Sequence, residues 1–356
     1  MSCVMQNNIT LNNRIKLLLN GSETFRALKD ALTKAEHCIN LEYFSFHDDE
    51  TGNALKDILA ERSKKGVKVR MIIDAVGSWR LNRKFIRGIE ASGIEFRMFR
   101  PFSFHRDHRK IITVDGTTGF LGGFNIGDVY LRQWRDTHLK IYGGAVSELD
   151  RIFSGMWGAD VRTFKKNQCS HSNDDVPVRI MASGKGGNFR AIADEYIRII
   201  KSAKKRIWIT TPYFAPDEKF INALISASSR GADVRIIIPS GSNHMFISWA
   251  SQSYIDPLIN SGIKIFTYQD RFIHAKTMIA DDHVASVGTA NLDALSFEIN
   301  YEVQAFVYST KLVKELEAVF VKDLENCTQE NIEIRKKRPL SSRLKEGIGR
   351  LLSPML

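Results

Sequence analysis

The chain has 356 residues, 43% of them hydrophobic, and its 51 lysines and arginines outnumber 40 aspartates and glutamates for a net charge of +11. That length allows two domains of about 150 residues, each able to bury a core, and the charge favours an anionic partner, either nucleic acid or an acidic membrane surface. No run approaches the roughly 18 to 20 uncharged apolar residues that cross a bilayer, and no charged segment, apolar core and cleavage site opens the chain, so the body is expected to be soluble.

Near the amino terminus, Ser22 offers a cap for a helix whose apolar face is Phe25, Leu28 and Leu32. The run Ile39-Asn-Leu-Glu-Tyr-Phe-Ser-Phe46 reads as a buried strand. Leu55, Ile58 and Leu59 mark a helix closed before Gly66, and Lys65-Gly-Val-Lys-Val-Arg-Met-Ile-Ile73 carries a second strand-like run. Polar residues from Asn167 to Val176 read as a connector. Beyond it the series returns. Ile207-Trp-Ile-Thr-Thr-Pro-Tyr-Phe214 parallels 39–46, Arg230-Gly-Ala-Asp-Val-Arg-Ile-Ile-Ile238 parallels 65–73, and Ser261-Gly-Ile263 parallels Ser92-Gly-Ile94. These are two copies of one α/β unit. Short apolar strands alternating with helices predict a mostly parallel sheet covered on both faces. The division expected is one unit over 1–163, a linker over 164–176, a second unit over 177–330, and a basic segment over 331–356.

In that last segment, Ser341 offers a cap, and Leu344, Ile348, Leu351 and Leu352 share one helical face with Arg343, Lys345 and Arg350 on the others. The pattern suits either an interfacial helix on anionic lipid or a terminal helix packed on the protein. Gly347 and Gly349 weaken it by roughly 1 kcal/mol each, so it needs a surface to form on. Cys3, Cys38, Cys169 and Cys327 lack metal or redox spacing and are expected to be reduced, structural thiols in a cytoplasmic setting.

The chemistry lies in a pattern that occurs twice. His-x-Lys-x-x-x-x-Asp appears as His108, Lys110, Asp115 and again, each residue 166 positions on, as His274, Lys276, Asp281. The flanks agree as well. Gly122-Gly-Phe-Asn125 follows the first copy and Gly288-Thr-Ala-Asn291 the second, while Asp136 and Glu302 each lie 28 residues after their histidine. Two matched halves, each delivering an imidazole and an ammonium group, can build one phosphodiester-cleaving site. Lys110 and Lys276 neutralise the phosphodiester charge from opposite sides, helped by amide donors from Asn125 and Asn291, so neither a metal nor another cofactor is required. One imidazole must be neutral and the other protonated near pH 7. Asp115 and Asp281, at the ends of strand-like runs, read as structural.

These motifs, with Leu41-Glu-Tyr43, Asp74-Ala-Val-Gly-Ser78, Trp134-Arg-Asp-Thr-His138, Thr211-Pro-Tyr-Phe214, Gly288-Thr-Ala-Asn-Leu-Asp293, Asn300-Tyr-Glu302 and the ending Arg350-Leu-Leu-Ser-Pro-Met-Leu356, resemble the phospholipase D superfamily, and within it the bacterial cardiolipin synthases. The resemblance runs from about Leu19 to Leu356. It implies a pseudo-twofold pair of α/β lobes with the active site between them and a catalytic signature of His108, Lys110, Asp115, His274, Lys276 and Asp281. It also implies that Asp136 orients His108, that Glu302 orients His274, that His108 is the nucleophile and that His274 is the general acid and base. The expected activity is phosphatidyl transfer between anionic phospholipids at a membrane surface, peripheral on the cytoplasmic face of the bacterial inner membrane, with no nucleic-acid partner. Phospholipid hydrolysis, nucleic-acid cleavage and an inactive scaffold are the alternatives. Trp79, Phe102, Phe104, Met245, Phe246 and Trp249 are candidates to line an acyl-chain groove.

Overall fold

The computed structural model describes residues 9–100, 104–158, 175–184, 188–241 and 244–355, which places most of the linker, Phe102, Cys3 and Cys169 outside the described residues. Fifteen strands form one sheet. At its centre Ile9–Leu18 lies antiparallel to Val176–Ala182, one strand from each half of the chain. On one side follow His138–Gly143, Thr118–Gly122, Lys110–Val114, Cys38–Tyr43, Lys68–Asp74 and Glu95–Phe99. On the other side Val303–Tyr308, Val284–Gly288, Thr277–Ala280, Arg206–Thr210, Asp233–Pro239 and Lys264–Tyr268 repeat the order, and Cys327–Gln329 closes the edge.

The mixed α/β class is as expected, but the parallel share is smaller. Among the described strands of this sheet, parallel pairing is confined to Cys38–Tyr43, Lys68–Asp74 and Glu95–Phe99 in one half and Arg206–Thr210, Asp233–Pro239 and Lys264–Tyr268 in the other. The inner ladders are antiparallel. A continuous apolar run reports burial on both faces, which both kinds of ladder have here, and it carries no information on direction.

Helices cover both faces. Gly21–Thr33, Glu50–Lys64 and Arg83–Ala91 bury Leu28, Leu55, Leu59 and Phe85 against Leu41, Met71 and Ile112. Ala191–Ser202, Glu218–Ser229 and Met245–Asn260 do the same in the second half. On the opposite face, Gly144–Trp157 and Thr310–Leu324 share a single cluster, in which Ile111, Leu121 and Leu149 join Ile279, Val287 and Leu316. Each such side chain contributes about 1.5–3 kcal/mol on burial, so the seam between the halves is continuous core. The first helix is capped two residues earlier than expected: Asn20, with extended backbone, accepts from the Glu23 amide, which leaves Ser22 inside the first turn.

The seam is also stitched where the motifs begin. Phe272–Ile273 pairs in parallel with Trp134–Arg135, the His274 amide donates to the Arg135 carbonyl (2.7 Å), and the His108 amide donates to the Tyr301 carbonyl (2.9 Å). Each motif histidine therefore hangs from the backbone of the opposite half.

The carboxy-terminal helix, Leu340–Leu352, begins after Pro339 with no side-chain cap, so Ser341 lies within its first turn. It packs across Met245–Asn260. A Cβ at Gly349 would sit 2.3 Å from the Ala250 amide nitrogen, so only glycine permits that crossing, whereas a Cβ at Gly347 would meet nothing within 4 Å.

Candidate active site

His108 and His274 each precede a strand, Lys110–Val114 and Thr277–Ala280. Residues two apart in extended chain face the same way, which is why the spacing His-x-Lys puts imidazole and ammonium on one side. Both lysines are buried, and each Nζ donates to the carbonyl of its own histidine at 2.7 Å. Lys276 Nζ also lies 2.8 Å from His274 Nε2, which is the acceptor when Nδ1 donates to the Asp136 carboxylate 2.8 Å away. The two contacts together are consistent with a neutral ring that carries its proton on Nδ1. Among the described residues no lysine makes the matching contact with His108 Nε2.

The orienting carboxylates are crossed. His274 Nδ1 donates to Asp136 at 2.8 Å, and His108 Nδ1 lies 2.9 and 3.1 Å from the two oxygens of Glu302. The expected pairing of Asp136 with His108 and of Glu302 with His274 is therefore corrected. Asp136 follows Arg135, whose carbonyl holds the His274 amide, and Glu302 follows Tyr301, whose carbonyl holds the His108 amide. A shared spacing of 28 residues is satisfied by either arrangement, and only the seam decides between them.

Further groups set these carboxylates. Ser296 Oγ (2.9 Å) and Thr289 Oγ1 donate to Glu302, and the Thr137 amide donates to Asp136 at 2.7 Å. A Cβ at Gly123 would lie 2.2 Å from Asp136 Oδ1, so that glycine admits the carboxylate. Asn125 Oδ1 accepts from the Ser45 amide at 3.3 Å, which leaves its amide nitrogen for another partner. Asn291 Oδ1 is buried without a hydrogen-bond partner among the described residues.

Both imidazoles and both asparagines line one cavity of about 1090 Å³. Phe44 stands edge-on to His108 with centroids 4.9 Å apart, and Trp134 lies 4.5 Å from His274. Trp79, Phe104, Met245 and Phe246, four of the candidates for an acyl-chain groove, also line the cavity. Trp249 does not belong with them: it packs on Phe246 and lies at the Gly349 crossing.

Asp115 and Asp281 stand apart from this constellation. Each closes its strand with φ of 52°, a left-handed conformation that aspartate tolerates. Asp115 accepts from the amides of Glu36, His37 and Cys38 (2.8–2.9 Å), and Asp281 from those of Lys204, Lys205 and Arg206 (2.7–3.2 Å). A strand rises about 3.3 Å per residue, which puts each aspartate roughly 16 Å from its motif lysine. Their membership of the catalytic signature is a property of the sequence pattern; spatially they anchor the loop that enters the neighbouring strand.

The sequence pattern described as "Cardiolipin synthase, PLD-like domain" matches residues 28–157 and 196–324. The chain belongs to the cardiolipin synthase family of phospholipase D-like proteins. It is 42% identical, over 98% of its length and 73% of the relative's, to a cardiolipin synthase of a Geobacillus species. It is 40% identical to cardiolipin synthase 2 of Bacillus anthracis, covering 98% of this chain and 72% of that one. Among solved structures, phosphatidylserine synthase from Haemophilus influenzae superposes with a TM-score of 0.77 over 98% of both chains at 14% identity, which shows a shared fold. Polyphosphate kinase from Porphyromonas gingivalis gives 0.65 at the same identity, over 95% of this chain and 52% of that one.

Electrostatics in the family's duplicated site follow from burial. Enclosure, reinforced by Lys110 and Lys276, holds both imidazoles well below the ordinary histidine range. Burial likewise lowers Lys110 to about 8 and Lys276 to about 7. It raises Asp136 to about 6 against the pull of Lys276, and Glu302 to about 8 against that of Lys110. Without substrate, both rings are thus held toward the neutral form.

Sequence reasoning missed several contributors. Thr289 was visible inside Gly288-Thr-Ala-Asn291, where the first copy has Gly123, and that difference was the available signal for its bond to Glu302. Ser296 gave none, because it reaches Glu302 from a π-helical turn, Leu295–Ile299, absent from the repeat pattern.

Proposed function

We propose that this chain moves a phosphatidyl group from one phosphatidylglycerol to another, giving cardiolipin and glycerol, through a phosphohistidine. The observation that carries the proposal is the crossed pair: two motif imidazoles, each hydrogen-bonded to a carboxylate of the opposite half, open on one cavity beside two buried lysines.

The phosphodiester lies between Lys110 and Lys276, with Asn125 and Asn291 as amide partners of its oxygens. The substrate's negative charge lets His274 Nε2 take up a proton in place of its contact with Lys276; His108 Nε2 then attacks phosphorus, and the bond to the glycerol oxygen breaks as His274 Nε2 gives that oxygen the proton. Glycerol leaves. His274, now neutral, takes the proton from a hydroxyl of the second phosphatidylglycerol, whose oxygen displaces the histidine and forms the new phosphodiester. Two displacements retain configuration at phosphorus. The choice of His108 as nucleophile is supported by the lone pair of His274 Nε2, which Lys276 already engages. Asp136 and Glu302 hold the tautomers. The apolar cavity wall keeps water from competing with the acceptor alcohol.

The substrates are anionic phospholipids, and the net charge of +11 supports a peripheral place on an anionic membrane surface, which we assign to the cytoplasmic face of the inner membrane. Among the described residues no helix is long and apolar enough to cross a membrane. Purified protein incubated with phosphatidylglycerol vesicles should produce cardiolipin and glycerol, and His274→Ala should trap a phosphatidyl group on His108. Phosphatidic acid without cardiolipin would replace transfer by hydrolysis. Cleavage of DNA lost in His108→Ala would move the site to nucleic acid.

A further inference from the structure

The carboxy-terminal helix is built inside out. Leu340, Leu344, Leu351 and Met355 are 68–80% exposed and Ile348 is 40% exposed, and their spacing of three and four residues makes one stripe along the helix and its final turn. The side facing the protein is polar. Glu346 accepts from Arg338 at 2.9 Å, Arg350 lies 3.9 Å from the Tyr254 ring centroid, and the Tyr254 hydroxyl donates to Ser353 at 3.1 Å. Arg335, itself buried, ties the preceding turn to Asp256 and Gln252. The orientation is therefore fixed by glycine-mediated contact, ion pairs and ring stacking, and it leaves the apolar stripe outward. A helix in water gains nothing from a stripe so placed, and a contiguous exposed apolar patch of this kind marks an interaction surface.

Three observations choose the occupant. The stripe ends at Met355, which lines the catalytic cavity, so it is continuous with the mouth formed by Trp79, Phe104, Met245 and Phe246. Exposed Lys337, Arg343 and Lys345 flank it, an arrangement that matches anionic headgroups beside an apolar layer. Finally, a two-chain lipid reacts at its headgroup while its acyl chains stay in the bilayer, so a mouth that takes such a substrate must face the membrane plane. We propose that Leu340–Leu352 and its final turn lie in the headgroup layer of an anionic bilayer and seat the mouth of the cavity on it. This rests on the phospholipid reading of the site.

The test separates docking from chemistry. Binding to vesicles of phosphatidylglycerol in phosphatidylcholine is measured by sedimentation for the full chain and for Leu344→Glu/Leu351→Glu. Turnover is measured in parallel on monomeric dihexanoyl phosphatidylglycerol, which needs no docking. Val321→Glu, exposed on Thr310–Leu324, is the control. The double variant should bind vesicles at least about tenfold more weakly, with turnover of the monomeric lipid unchanged and the control like the parent. Equal vesicle binding by parent and double variant overturns the proposal. So does a lipid-free dimer that the double variant abolishes while vesicle binding persists. If the parent turns over no phosphatidylglycerol in either form but binds vesicles through Leu344 and Leu351, the docking assignment stands and the activity falls.

Discussion

Glu302→Gln tests the crossed site most directly. Glu302 is fully buried and accepts from His108 Nδ1, Ser296 Oγ and Thr289 Oγ1. One hydroxyl can rotate and accept from the new amide, and the glutamine oxygen can still accept from His108 Nδ1, but a neutral partner holds the tautomer less firmly and no longer stabilises the positive charge that develops on the ring as Nε2 attacks phosphorus. Losing one charge-assisted hydrogen bond and part of the productive tautomer costs about 2–4 kcal/mol of transition-state stabilisation, or roughly a 30- to 900-fold fall in rate. A phosphatidyl p-nitrophenol substrate isolates the first displacement, since its leaving group needs no proton from His274. Rapid mixing should show the burst of p-nitrophenolate lost in Glu302→Gln. Asp136→Asn, which disturbs His274, should keep the burst and lose steady turnover, because the second displacement still needs a base. The opposite outcome, a burst surviving in Glu302→Gln and absent in Asp136→Asn, would refute either the crossed pairing or the role given to His108.

Two further outcomes follow from the same geometry. With Lys276 lowered to about 7 and Lys110 to about 8, the free protein loses ammonium charge as pH rises through that window, so KM for dihexanoyl phosphatidylglycerol should climb while kcat changes less. The acid limb should lie below the ordinary histidine range, because burial keeps His108 neutral; a KM flat to about pH 9 would contradict the lysine assignment. Asp115→Ala leaves three backbone amides without their acceptor and should cost about 1–3 kcal/mol of stability, seen as a lower Tm, with turnover per folded molecule unchanged. A hundredfold loss of turnover at unchanged Tm would return that aspartate to the chemistry.

The carboxy-terminal segment shows how a sequence pattern can be right while its orientation stays open. Heptad-like spacing of Leu344, Ile348 and Leu351 marked an apolar face, and the same spacing suited burial on the protein or on lipid. Gly349 settled that the helix packs, because only a glycine lets its backbone approach Ala250, and packing through that glycine turned the leucines outward. Strand direction was equally silent in the sequence, since buried runs such as Ile111-Ile-Thr-Val114 look alike in parallel and antiparallel ladders.

By itself the sequence determined the duplication, the two His-x-Lys pairs and the asparagine that follows each of them. Those are properties of residue type and of spacing along one extended run, and local geometry fixes them. Tertiary structure alone decided which carboxylate serves which imidazole and where the exposed leucines point. Each of these depends on how chain segments far apart in sequence meet at the seam or at a helix crossing, and a repeat with equal offsets in both copies is compatible with either partner.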